Sequence, residues 1–165
     1  MKTINLYQSF RNLFTVFFTL MLLGFIVSCG GNDDEGGDGN GAGINSSHYK
    51  ITVTLNGVNA TDDYVSVVAS GSNHQNDSSL WKINGAVQNG QTVVGLNKNS
   101  FSGATKSYTI ETNTPIAALS ASIQVINFNS TITGTYKIEK DNQLVVNETI
   151  NLTADGADFT KNYTF

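Results

Sequence analysis

The sequence predicts an all-β fold, a single antiparallel β-sandwich of about eight or nine short strands in residues 44–165. Three observations predict it. Apolar residues recur at every second position in segment after segment, Asn-Gly and Asp-Gly pairs separate those segments, and no stretch carries a 3.6-residue apolar stripe. An immunoglobulin-like arrangement is the first expectation and a jelly roll the second.

The first strand is the clearest. Tyr49, Ile51, Val53 and Leu55 alternate with Lys50, Thr52 and Thr54, as a half-buried strand requires. Asn56-Gly57 comes next, and such a pair accepts positive φ and favours a type I′ turn. Further strands are expected over residues 64–69, 80–83, 91–96, 107–112, 119–128, 135–140, 144–152 and 159–165. Asn84-Gly85, Asn89-Gly90 and Asp155-Gly156 supply turn signals between them. The run after Pro115, with Leu119, Ala121, Ile123 and Val125, also fits a buried segment, but its β-branching and Ser/Gln spacing favour a strand. A domain of this size buries well over half of its unfolded surface and needs no disulfide. The final strand implies a C-terminus tied into a sheet.

Residues 1–28 read differently. Lys2 and Arg11 precede an apolar run, Leu13 to Val27, which is shorter than the ~20 residues of a spanning helix and ends in small residues. That is the pattern of a signal peptide. Ile26-Val27-Ser28-Cys29 then resembles the bacterial lipobox: aliphatic, aliphatic or small, small, cysteine. The resemblance implies that the Cys29 thiol takes a diacylglycerol, that cleavage falls between Ser28 and Cys29, and that the new amino group is acylated too. Two or more acyl chains anchor stably where one holds only marginally. Cys29 is the only cysteine, so neither an internal disulfide nor a cysteine metal site can form.

Residues 29–43 continue as acylated cysteine and tether. GGNDDEGGDGNGAG is half glycine, carries Asp33, Asp34, Glu35 and Asp38, and has no large apolar residue to bury, so a flexible coil with an r.m.s. reach of ~20 Å is expected. An acidic stretch just after the lipidated cysteine resembles the surface-export signal of Bacteroidota lipoproteins. It implies an outer-membrane anchor with the domain outside the cell, a periplasm-facing domain being the alternative. GGDGNG is not a calcium nonapeptide: Gly41 replaces the aspartate, and the single copy has no neighbour to stack on.

Charge and residue types exclude further classes. Arg11 lies in the leader, and the remainder holds seven lysines against thirteen acids. An acidic chain without arginine or a basic stripe lacks what nucleic acid requires, so no nucleic-acid partner is expected. His48 and His74 form no zinc-binding spacing, and no G-x-S-x-G elbow is present. Trp81, the only tryptophan, fits either the core of a third strand or a sugar-stacking surface. Asp62, Asp63 and Asp77 sit in Asn/Asp-rich loops that suit turns, and equally a calcium site if the loops gather at one end. Glu111, Glu139 and Glu148 fall in strands, where solvent-facing charges are the default.

The expectation is a lipid-anchored, non-catalytic sandwich that meets the membrane through its anchor and binds a glycan or protein ligand. It has no cofactor beyond the covalent lipid and no resident metal. The alternatives are a small hydrolase using loop carboxylates and a purely structural or inhibitory lipoprotein.

Overall fold

A computed structural model describes residues 45–128 and 130–165. The expected leader, the Ser28–Cys29 junction and the expected tether lie outside the described residues.

The described chain forms β1 (Tyr49–Asn56), β2 (Tyr64–Ser72), β3 (Trp81–Ile83), β4 (Ala86–Gln88), β5 (Val93–Asn97), a one-turn helix α1 (Lys98–Phe101), β6 (Lys106–Thr112), β7 (Ala118–Ile126), β8 (Ile132–Lys140), β9 (Gln143–Leu152) and β10 (Asp158–Thr164). A six-stranded sheet runs β4-β3-β6-β1-β8-β9 and a four-stranded sheet runs β10-β7-β2-β5, every pairing antiparallel. The all-β sandwich expectation therefore holds.

Alternation in sequence becomes alternation in burial. Tyr49, Ile51, Val53 and Leu55 of β1 turn inward with Ile110, Tyr136, Ile138 and Ile150 of the same sheet. Val65, Val67, Ala69, Leu119, Ala121, Ile123 and Val125 meet them from the other sheet, forming the apolar layer between two packed sheets. Trp81 is 0% exposed, and its indole Nε1 donates to the Thr92 carbonyl at 2.9 Å. Gly71 makes room for it, because a Cβ there would lie 3.0 Å from Trp81 Cζ2 and 2.9 Å from Ile116 Cδ1.

Connectivity departs from the first expectation. In an immunoglobulin arrangement several consecutive strands are neighbours in one sheet. Here the chain crosses between sheets at most connections, and only β3–β4 and β8–β9 are hairpins. Asn56-Gly57 is accordingly no hairpin turn: Gly57 has φ +88° but Asn56 is not left-handed, and the segment leads from β1 to β2 in the other sheet. Asn84-Gly85 does have positive φ at both residues, and so does Asp141-Asn142 between β8 and β9. The second turn uses the tolerance of Asp and Asn for the left-handed region without any glycine.

The C-terminus is held as expected, with Phe165 and Leu119 exchanging two backbone hydrogen bonds of 2.9 Å each.

Candidate functional site

Strand direction gives the domain two ends. The proximal end holds residues 45–48 where the chain enters, the β2–β3 loop, the β6–β7 connection and the β8–β9 turn; the distal end holds the β1–β2, β7–β8 and β9–β10 loops.

A groove of about 380 Å³ opens at the proximal end on the outer face of the six-stranded sheet. Register builds it. Lys50 of β1 lies opposite Glu111 of β6 on one side and Glu139 of β8 on the other, and Glu111 also lies opposite Lys82 of β3. The outer face therefore carries a row of alternating sign, Lys82, Glu111, Lys50, Glu139, of the kind that stabilises cross-strand neighbours. Lys50 Nζ stands 3.7 Å from Glu111 Oε1, a half-exposed pair.

The floor of the groove is fixed by a clasp between the incoming chain and the β8–β9 turn. His48 N donates to Asp141 Oδ1 at 2.8 Å, and Asp141 N donates back to the His48 carbonyl at 2.8 Å. Thr112, largely buried, accepts from Tyr49 N at 3.0 Å through Oγ1, which also lies 3.3 Å from His48 Nδ1. The His48 backbone N–H, aided by a Ser47 side-chain hydrogen bond and by the positive charge of Lys140, holds the Asp141 carboxyl below the usual carboxylate range. The polar lining of the groove, where the His48 imidazole joins charged and amide groups and Tyr49 is largely buried, suits a hydrogen-bonding ligand, at the small end of the usual size range for such sites.

At the distal end the structure resolves the role of Asp63. It is 1% exposed, accepts from Asn59 N at 2.8 Å and Phe128 N at 2.9 Å, and lies 3.4 Å from Ser130 Oγ. Ser130 Oγ in turn donates to the Gly57 carbonyl at 2.9 Å. One carboxylate thus staples the β1–β2 loop to the β7–β8 loop. On either side of it Tyr64 and Phe128 stand 44% and 43% exposed.

The calcium candidates do not converge. Asp62 and Asp63 precede β2 at the distal end, and Asp77 comes after it at the proximal end, so a nine-residue strand of roughly 30 Å separates them. Asp62 accepts from Asn59 Nδ2 at 2.9 Å, and Asp77 exchanges two hydrogen bonds with Asn73. These are turn-forming contacts. Among the described residues no three His, Cys, Asp or Glu side chains group as a metal ion would need. Trp81 is likewise removed as a ligand-stacking residue, since burial leaves it no free face.

Glu148 also departs from the solvent-facing default. Tyr163 Oη donates to its Oε1 at 2.8 Å and Lys161 Nζ stands 3.7 Å away, at the seam where β9 and β10 approach. Tyr163 stacks on the buried Tyr136 with ring centroids 5.9 Å apart.

Sequence reading missed the groove because its residues come from positions 48–50, 111–112, 139 and 141–142, joined only by strand register and the β8–β9 turn. The one available signal was a pattern of outward charges, Lys50, Glu111 and Glu139, on three strands whose neighbours could not be assigned.

No family model matches the sequence, and no curated protein matches it. Among solved structures, the fold is similar to a DUF4425 family protein from Bacteroides ovatus, with a TM-score of 0.54 and 14% identity over 73% of this chain and 95% of that one. It is similar also to a DUF4425 domain of unknown function from Bacteroides vulgatus, with a TM-score of 0.53 and 14% identity over 73% and 94% of the two chains. At such identity the likeness is one of fold: a two-sheet, all-β sandwich.

Proposed function

We propose that this chain is an outer-membrane, surface-exposed lipoprotein, anchored through acylated Cys29 and lifted by residues 30–43, whose sandwich is a non-catalytic binding module with its ligand seat in the proximal groove. The observation that carries the binding reading is the groove itself. Charged and polar groups from three strands and a turn converge there on a rigid sheet, a requirement of an oriented polar ligand. The anchor reading is supported by the lipobox at Ile26–Cys29 and the acidic, glycine-rich stretch directly after it. The loop acids first considered for a hydrolase do not come together, because Asp62 and Asp63 lie a strand's length from Asp77.

Two experiments test this. Replacing Cys29 by Ala should abolish radiolabelled acyl incorporation, and protease treatment of intact cells should digest the wild-type domain; full protection would put it on the periplasmic side. For the groove, the chain is screened against soluble glycans and peptides, and Glu139→Gln and Asp141→Asn are then compared with wild type. A ligand whose affinity falls at least tenfold in both variants supports the assignment, and one that both retain removes the groove from the site.

A second reading is favoured by Tyr64 and Phe128, whose exposed rings flank the Asp63 staple at the end farthest from the incoming chain. A glycan bound there would lose affinity in Tyr64→Ala and Phe128→Ala and be indifferent to the groove variants.

A further inference from the structure

We infer that β9 is a homodimerisation edge, pairing antiparallel with β9 of a second copy about a two-fold axis at Thr149. Among the described residues β9 pairs on one side only, with β8. It is the longest strand, ten residues without Pro, Gly, Lys or Arg. Edge strands present a row of unsatisfied backbone donors and acceptors, and proteins guard them with short length, lysine or proline. The other edges obey that rule: β4 has three residues, β5 has five, and β10 carries Asp158 and Lys161. β9 has only a register slip near its start and one inward charge, Glu148, which Tyr163 and Lys161 of its own sandwich already hold.

The occupant is specified by the sequence of β9 itself. The register slips at Ile138/Glu139, so Val146–Leu152 is the regular part, seven residues centred on Thr149. Its outward positions read Asn147, Thr149, Asn151, a palindrome about that centre. In a two-fold antiparallel pair Thr149 meets Thr149 and each Asn147 meets an Asn151, so every outer-face pair can hydrogen-bond. On the inner face Val146 meets Leu152 and Glu148 meets Ile150. The only charge in the segment thus never meets its own copy, and it is already held by Tyr163 and Lys161 of its own sandwich. Leu144 and Val145, 55% and 44% exposed, flank the segment with apolar surface. A continuous twelve-stranded sheet results from two six-stranded ones.

Cysteine chemistry tests the register in the full chain, because Cys29 is the only native cysteine. Single variants Thr149→Cys, Asn147→Cys and Asn151→Cys are expressed and mildly oxidised. Residues directly opposite lie ~5 Å apart at Cβ, whereas Asn147 and its own copy are four residues out of register, roughly 13 Å. Disulfides need Cα atoms within ~7 Å. Thr149→Cys should therefore give a covalent dimer, Asn147→Cys and Asn151→Cys alone should not, and the two co-expressed should. In sedimentation, wild type should be dimeric and Thr149→Lys, which opposes two ammonium groups on the axis, monomeric. A monomeric wild type, no crosslink at Thr149, or equal crosslinking at all three positions would overturn the inference.

Discussion

Replacing Asp63 by Ala tests whether a single carboxylate organises the distal end. The side chain is 1% exposed and accepts two backbone N–H donors, from Asn59 at 2.8 Å and Phe128 at 2.9 Å. Hydrogen bonds to a charged acceptor contribute ~1.5–3 kcal/mol each, and truncation leaves both donors without their partner. Water reaching Asn59 and Phe128, which are exposed residues, recovers part of that loss. The expected destabilisation is ~3 kcal/mol, about 10 °C in Tm for a domain of this size. Asp63→Asn keeps one acceptor but turns an amide toward the other donor, and should lose about half as much. Urea denaturation monitored by Trp81 fluorescence measures both, since the only tryptophan is buried in the native state and exposed on unfolding. A loss below ~0.5 kcal/mol for Asp63→Ala would refute the reasoning, placing it among ordinary surface substitutions.

Single features of the fold carry the remaining predictions. Gly134→Ala should destabilise by ~3 kcal/mol or prevent folding, because a Cβ would collide with the Thr54 carbonyl oxygen of the neighbouring strand; a yield and denaturation midpoint equal to wild type would contradict that. Trp81 emission should resist iodide quenching until the domain unfolds, and Trp81→Phe should cost ~2 kcal/mol through lost volume and an unsatisfied Thr92 carbonyl, read from the same urea curves with tyrosine emission. Desolvation, and then the hydrogen bond to Glu148, push Tyr163 up to about 12, while burial and the nearby Tyr163 push Tyr136 up further. The folded state holds both phenolic protons more tightly than the unfolded chain does, so their stabilisation is complete below pH ~10 and is lost as pH rises through about 12. Phenolate absorbance should show late-titrating tyrosines, and Glu148→Gln should bring Tyr163 down toward its ordinary value.

Much of the architecture was legible because strands with one buried face must alternate, and this chain alternates cleanly. β1, β6, β7, β9 and β10 fall within two residues of their expected limits. β8 begins at Ile132 rather than 135 because Gly134, weak as a strand former alone, is where the backbone of β1 passes too closely for a side chain. β4 was unreadable, since three residues offer no period, and α1 because one turn offers no stripe. Sheet order was the deeper loss. Asn56-Gly57 carries a hairpin signature and yet crosses between sheets, since the onward path of the chain is set by packing of Val58 and by the Asp63 staple rather than by turn chemistry. The candidate site suffered the same way. Composition announces charges, but only neighbour identity makes Lys50, Glu111 and Glu139 one surface.

The habit of crossing from sheet to sheet also sets the tempo of folding. β1 finds its partners at β6 and β8, so Tyr49 waits for Lys140, about ninety residues away along the chain, before its ladder is complete. Few native contacts are available to a partial chain, and loop closure precedes nearly every reward, which puts such topologies in the slow class, milliseconds to seconds. Only the two hairpins can form locally and early. A nascent copy therefore stays open until its last strands arrive, and then closes as one cooperative unit.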